Sequence, residues 1–383
     1  MNARLSGLPR PQPPPVQARA PWAFPEDTLQ HGEEDEDEEE DGLGDLPPRG
    51  RSTPTPARRT ASRPAPTEDY SPISASSYLS QAAQASVPDS GLDVRIYYTP
   101  PTAAGREGTV LVCHHGAGYS SLSFACFAKS VGEQSARELG ILIYDARGHG
   151  KTTSANQTEN LDLSVIASDM VNLLSTVFPD PASAPSFVLL GHSMGGTAVV
   201  HACPQLQQKG YRVAGVAVLD VVEGSAMEAL PHMHKLLESR PDGFGSVEEA
   251  VGWHLKNNTI RNPTSARISV PSLVVPAKPG ESPAWKWRTP LKDTSPYWTS
   301  WFKGLSDSFL AARTARLLVL AGTDRLDKTL MIGQMQGKFQ MVVVPDVGHM
   351  LHEDNPERLA EIIVEFWRRN ERVVAGIKKV GEL

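Results

Sequence analysis

Val188-Leu189-Leu190-Gly191-His192-Ser193-Met194-Gly195-Gly196-Thr197 joins an apolar run to a helix-compatible stretch, Thr197 to Ala202, through Gly-x-Ser-x-Gly. The apolar run reads as a buried parallel strand ending at Leu190. A turn from strand straight into helix is so tight that it strains the backbone of the residue at its apex. Side chains two positions before or after the apex would strike the neighbouring strand or helix, and Gly191 and Gly195 remove them. Ser193 is then raised, exposed, at a helix N-terminus, where backbone N–H groups face any oxyanion that forms.

Working outward, the strand patterns are Leu92 to Tyr98, Thr109 to Cys113, Ile141 to Tyr144, Val213 to Leu219, Arg316 to Leu320 and Phe339 to Val344. Helical periodicity fills the gaps at Phe124 to Leu139, Leu163 to Phe178 and Pro356 to Val373. Strands alternating with helices give an α/β class, with a mostly parallel central sheet flanked by helices. Ligands of such sheets sit at the carboxyl ends of the strands. The polar motifs fall there: His114-His115-Gly116-Ala117-Gly118, Asp145-Ala146-Arg147-Gly148-His149-Gly150, Asp220-Val221-Val222-Glu223-Gly224, Ala321-Gly322-Thr323-Asp324 and Gly348-His349.

The 383 residues divide into a tail, residues 1–68, and a core in two parts, 69–222 and 311–383, separated by a cap over 223–310. The tail is rich in proline and poor in large apolar residues, which predicts disorder because it cannot bury enough surface to offset ordering entropy. Within it, Arg58-Arg59-Thr60-Ala61-Ser62 reads as an incidental basic patch or a basophilic kinase site. The net charge of −7 is carried by the acidic run Glu33 to Asp41, worth −9, which leaves +2 for the rest and no nucleic-acid surface. Cys113, Cys126 and Cys203 lie in or beside apolar stretches and read as buried reduced thiols of a cytoplasmic or nuclear protein. Neither a membrane span nor a signal peptide is predicted.

The cap reads as mostly helical, with a flexible turn-rich insert near Pro276 to Pro283, and holds five of the seven tryptophans. Trp298 and Trp301 are expected in the cap's own core, Trp285 and Trp287 less so.

A serine nucleophile needs a base to take its proton and a carboxylate to orient that base. His349, after the last strand and before the final helix, fits the base, while His352 reads as structural. For the acid, Asp324 after the penultimate strand and Asp220 after the strand following the elbow are equal on spacing. One oxyanion N–H belongs to Met194, and a second to the glycine-rich loop, Ala117 first and Gly116 next. The Asp145 to Gly150 loop reads as a buttress for the strand ends. There is no metal-ligand spacing and no Walker sequence, so no cofactor is expected.

These motifs together resemble the protein phosphatase methylesterases of the α/β-hydrolase superfamily. The generic pieces are the elbow and Gly348-His349 with His352-Glu353. More specific are Asp69-Tyr70-Ser71-Pro72, Asp220 to Gly224, Ile260-Arg261-Asn262 with Ser265-Ala266-Arg267, and Tyr297-Trp298 with Trp301 to Ser306. Asp324 to Lys328 and Gly333-Gln334-Met335-Gln336-Gly337-Lys338-Phe339 complete the set. The resemblance implies a serine carboxylesterase that demethylates the C-terminal leucine of the protein phosphatase 2A catalytic subunit, its protein partner. It implies Ser193 as nucleophile, His349 as base and Asp220, rather than Asp324, as the acid. The oxyanion loop departs from the family's usual His-Gly-Gly-Gly at Ala117. A small-molecule esterase or lipase of the same fold, and an inactive phosphatase-binding hydrolase, are the alternatives.

Overall fold

The computed structural model describes residues 69–155, 159–322 and 326–371. The expectations for residues 1–68, for Asp324 and for the helix beyond 371 lie outside the described residues.

The strands in chain order are β1 (Ala82–Val87), β2 (Leu92–Thr99), β3 (Thr109–His114), β4 (Leu139–Tyr144), β5 (Thr153–Ser154), β6 (Ser186–His192), β7 (Val213–Leu219), β8 (Gly243–Phe244), β9 (Val274–Pro276), β10 (Trp285–Trp287), β11 (Ala315–Leu320) and β12 (Gln340–Val343). The main sheet runs β1-β2-β4-β3-β6-β7-β11-β12, with β5 on β2. It is parallel from β4 to β12 and antiparallel at β1–β2 and β2–β4. β3 and β4 are buried at every position, which is why they read as unbroken apolar runs rather than alternating ones.

The helices are α1 (Ala125–Gln134), α2 (Leu163–Val177), α3 (Met194–Gln208), α4 (Glu223–Glu238), α5 (Val247–Lys256), α6 (Pro263–Ser269), α7 (Trp298–Phe302), α8 (Leu305–Ala311), α9 (Lys328–Met335), α10 (Leu351–Asp354) and α11 (Pro356–Glu371). One face of the sheet is covered by α1 and α11, whose Phe127, Val131, Leu359 and Ile363 pack with Leu111 and Leu190. On the other, α2 and α3 pack Met170, Leu174, Val199 and Leu206 against Val110, Leu189 and Val216. Asp162 fixes the start of α2 by accepting the Ser164 N–H at 3.0 Å.

Several elements are additions to the sequence reading, β1 and a small cap sheet among them. β1, Ala-Ala-Gln-Ala-Ser-Val, is too poor in β-branched and aromatic residues to announce itself, and pairing with β2 makes it a strand. The cap carries, besides its helices, a small antiparallel sheet in the order β8-β10-β9, so the expected turn-rich insert is the loop of a hairpin. Trp298 and Trp301 are buried as expected, but in the main core beside Leu161 and Leu163. The Trp301 indole N–H donates to Leu161 O at 2.7 Å. The separate cap cluster is built on Phe244, Val251, Ile260 and Val274, with Trp253, Trp285 and Trp287 half-buried against it.

Candidate active site

Ser193 stands between β6 and α3 with φ 53° and ψ −121°, outside the conformations an ordinary side chain prefers. Such strain costs on the order of 1–3 kcal/mol and persists only where the surroundings impose it. Here the Ser193 N–H is held by Leu219 O at 3.0 Å, and the first turn of α3 closes from Gly196 N–H to Ser193 O at 2.8 Å. A Cβ on Gly191 would lie 2.0 Å from Gly195 O, and one on Gly195 2.3 Å from His114 O. The close approach that the two glycines permit is therefore real.

The hydroxyl-bearing residue is less open than its sequence position implies, with Ser193 only 8% exposed. Loops from the cap close over the strand ends. Leu291 lies so near Gly118 that a Cβ there would meet its Cδ1 at 2.5 Å, and the Thr289 hydroxyl donates to Gly148 O at 3.1 Å.

The next strand end supplies a carboxylate. Asp220, at φ 50°, follows β7, and both of its oxygens are used. Oδ1 accepts the Ala321 N–H at 2.7 Å, and Oδ2 lies 2.8 Å from His349 Nδ1. A carboxylate at Nδ1 keeps the proton on that nitrogen and leaves Nε2 with a lone pair, the form a general base requires. Burial pushes the His349 imidazolium down to about 3 and the Asp220 carboxyl up to about 7, so the imidazole is neutral at physiological pH. His192 Nε2–H donates to the carbonyl of His349 at 2.9 Å, and the two rings are 4.5 Å apart. The loop that carries His349 is thus tied to the residue next to Ser193.

The glycine-rich loop after β3 is held by two histidines. His115 donates from Nδ1 to Gly116 O at 2.8 Å and accepts the Ala146 N–H at Nε2, 3.0 Å. His149 accepts the Gly118 N–H at Nε2, 2.9 Å, and donates from Nδ1 to Arg147 O, 2.8 Å. Burial lowers both histidines, so each stays neutral, with its tautomer fixed by its neighbours. A Cβ on Gly116 would lie 2.7 Å from His192 Nδ1 and 3.3 Å from the Ser193 Cβ, so this backbone passes directly beside the serine. Met194, the other expected oxyanion donor, is fully buried as the first residue of α3.

The Asp145 to Gly150 loop is a buttress, as expected. Asp145 Oδ1 accepts from Ser121 N–H and its hydroxyl at 2.8 and 2.6 Å, and Oδ2 accepts from Lys151 N–H at 2.7 Å. Arg147 forks onto Asp169 at 2.7 and 2.8 Å. His115 and His192 were not singled out from sequence as positioning groups. Their flanking glycines and serine are the available signal, since a histidine beside a tight turn has backbone groups within reach of its ring nitrogens.

Runs that serine chemistry does not demand are joined in a single knot. Glu223 accepts the N–H groups of Gly304 and Ser306 at 2.8 and 3.0 Å. The Ser306 hydroxyl donates to Asp327 Oδ2 at 2.5 Å, and Asp327 Oδ1 caps α9 through the Leu330 N–H at 2.9 Å. On α9, Met331 and Ile332 are exposed and Met335 is 84% exposed. Among the described residues, no group of three or more His, Cys, Asp or Glu side chains is arranged to hold a metal ion. No described helix is long and apolar enough to cross a membrane.

The profile described as "Alpha/beta hydrolase family" matches residues 111–362. Among solved structures, the chain is similar to E-2-(acetamidomethylene)succinate hydrolase at TM-score 0.59 and 18% identity, covering 75% of this chain and 99% of that one. A Mycobacterium tuberculosis esterase matches at TM-score 0.55 and 17% identity over 76% of this chain and 92% of that one. These likenesses show the fold. Curated relatives share far more sequence. A protein named protein phosphatase methylesterase 1 from Cryptococcus neoformans is 47% identical over 97% of this chain and 92% of its own length. Its namesake from Yarrowia lipolytica is 38% identical over 89% of this chain and 87% of its own length. A serine on a strained strand-to-helix turn, on a sheet and in a sequence shared to this extent, makes the chain a member of the protein phosphatase methylesterase family of α/β-hydrolases.

Proposed function

We propose that this hydrolase removes the methyl ester from the C-terminal leucine of the protein phosphatase 2A catalytic subunit, with Ser193 as nucleophile, His349 as base and Asp220 as the acid that orients it. The observation that carries the assignment is the 2.8 Å contact between His349 Nδ1 and Asp220 Oδ2 at the strand end next to Ser193. Nε2 of His349 takes the Ser193 proton as Oγ attacks the ester carbonyl, and the imidazolium that forms is stabilised by Asp220. Methanol departs with a proton from the imidazolium. Water, deprotonated by the same nitrogen, then attacks the acyl-serine and releases the free carboxylate.

The oxyanion is received by the N–H of Met194 and one from Ala117 or Gly116, each donor worth on the order of 3 kcal/mol of barrier. Ala117 keeps the N–H of the usual glycine and adds only a methyl group, so the departure leaves the donor count unchanged. The exposed apolar side chains of α9, Met331, Ile332 and Met335, offer a protein substrate an adaptable contact surface. The same reading puts the protein in the cytoplasm or nucleus, where the buried unpaired thiols of Cys113, Cys126 and Cys203 stay reduced.

Incubating carboxyl-methylated phosphatase 2A with the wild type and with Ser193→Ala tests the proposal. Demethylation by the wild type alone is expected, and equal demethylation by both defeats it.

A further inference from the structure

Asp354 ends α10, and its side chain is 2% exposed. One oxygen, Oδ2, accepts the N–H of Gly348 at 2.7 Å, and the other, Oδ1, accepts the N–H of Arg261 at 2.7 Å. The Arg261 guanidinium stands at 3.9 Å and is 43% exposed, so its Coulomb attraction is largely screened. A carboxylate is costly to bury unless hydrogen bonds replace its water. Here the two donors come from far apart in sequence, and neither belongs to α10.

The donors share one relation to the site. Gly348 immediately precedes His349, and Arg261-Asn262 leads into the cap helix α6. The same helix grips the neighbouring residue as well. Ser265 Oγ donates to Glu353 O at 2.8 Å, and Ser269 Oγ donates to Glu353 Oε2 at 2.6 Å. On its other side the loop is held by the His192 bond to the His349 carbonyl. His349 therefore hangs between an anchor on the elbow and an anchor on the cap.

We propose that Asp354 is a positioning residue for His349, and that through Arg261 it makes the angle of the imidazole depend on how cap helix α6 is seated. The inference rests on the reading of His349 as the base. Asp354 itself touches no reacting atom. With its carboxylate in place, the Gly348 N–H is fixed and the ring is presented to Asp220 and Ser193 at one angle. With an amide there, one of the two backbone donors faces an NH2 group and is left without an acceptor.

The experiment compares wild type, Asp354→Asn, Asp354→Glu and Ser193→Ala, each counted by its folded fraction and assayed well below its Tm. Steady-state rates are measured on a p-nitrophenyl ester and on methylated phosphatase, together with the pH profile and the downfield proton resonance of His349 Nδ1–H. Asp354→Asn is expected to lower kcat about 10- to 100-fold with KM nearly unchanged, and to shift or broaden that resonance. Asp354→Glu, which keeps the carboxylate, recovers part of the loss. A folded Asp354→Asn with wild-type kcat and an unmoved resonance overturns the proposal, as does a loss accounted for wholly by unfolded protein. That result beside an inactive Ser193→Ala removes only this inference, whereas an active Ser193→Ala removes the assignment of the nucleophile beneath it.

Discussion

Asp220 meets His349 at 2.8 Å while its other carboxylate oxygen is held at 2.7 Å by the Ala321 N–H, so the acid approaches the imidazole in a single orientation. Asp220→Asn keeps the shape but offers an NH2 group or a weaker acceptor to Nδ1. The turnover number is expected to fall about 10³- to 10⁴-fold while substrate binding survives. Steady-state kinetics check this, and a loss of under tenfold would return the role to another carboxylate.

The same pair fixes a pH dependence. Burial raises Asp220 to about 7, and the carboxyl must be ionised to stabilise the imidazolium, while His349, lowered to about 3, is already neutral. On the proposed mechanism, activity is expected above about pH 7 and is expected to fall as the pH drops through that value, in one macroscopic step belonging to the pair. The acid limb of kcat/KM on a small ester reads it, and a limb confined below pH 5 contradicts the assignment.

Glycines at different positions should respond oppositely. A Cβ on Gly191 would stand 2.0 Å from a carbonyl oxygen, so Gly191→Ala is expected to cost more than about 4 kcal/mol or to prevent folding. Gly132 sits in α1, where an added methyl group would meet nothing within 4 Å, and Gly132→Ala should stabilise by about 0.5–1 kcal/mol. Urea unfolding of the two variants separates these outcomes.

Acid should destabilise the fold steeply. Seven histidines, His114, His115, His149, His192, His254, His349 and His352, are pushed below their ordinary value by burial. A lowered folded-state value means stability that is present above about pH 6.5 and lost as the pH falls, at up to about 1.4 kcal/mol per unit for each group. Asp220, Glu353 and Asp354 are raised by burial and act in the opposite sense, but they are fewer. The urea midpoint is expected to drop between pH 7.5 and 5.5, and a midpoint that rises would contradict the burial of these rings.

The apolar face of α9 gives a test of substrate size. Replacing Met331 and Met335 by serine should raise KM for methylated phosphatase about tenfold and leave a small ester unaffected. Equal effects on both substrates would mean that the patch serves the fold rather than docking.

Much of this was legible because chemistry and packing leave marks in sequence. The elbow demands glycines at fixed offsets from Ser193, and doubly buried strands such as β3 and β4 demand unbroken apolar runs. What was not legible depends on which partner a side chain finds. Spacing alone leaves Asp220 and Asp324 equal, the family resemblance favours Asp220, and the approach of the His349 loop to Asp220 depends on a contact that no spacing encodes. His115, His149 and Asp354 act through backbone groups of other loops, and a backbone N–H looks the same in every sequence. Trp301 belongs to the main core because its indole meets Leu161, a neighbour that periodicity in the cap could not reveal.

The shielding of Ser193 has a consequence for what the enzyme can touch. With 8% of that residue open, a broad flat protein surface cannot be pressed onto the hydroxyl. On the proposed mechanism the reacting group would have to arrive on a slender projection, as the last residue of a chain does and an ester midway along a folded polypeptide does not. Selection for ends over middles would then be enforced by access, before any side chain of the substrate is recognised.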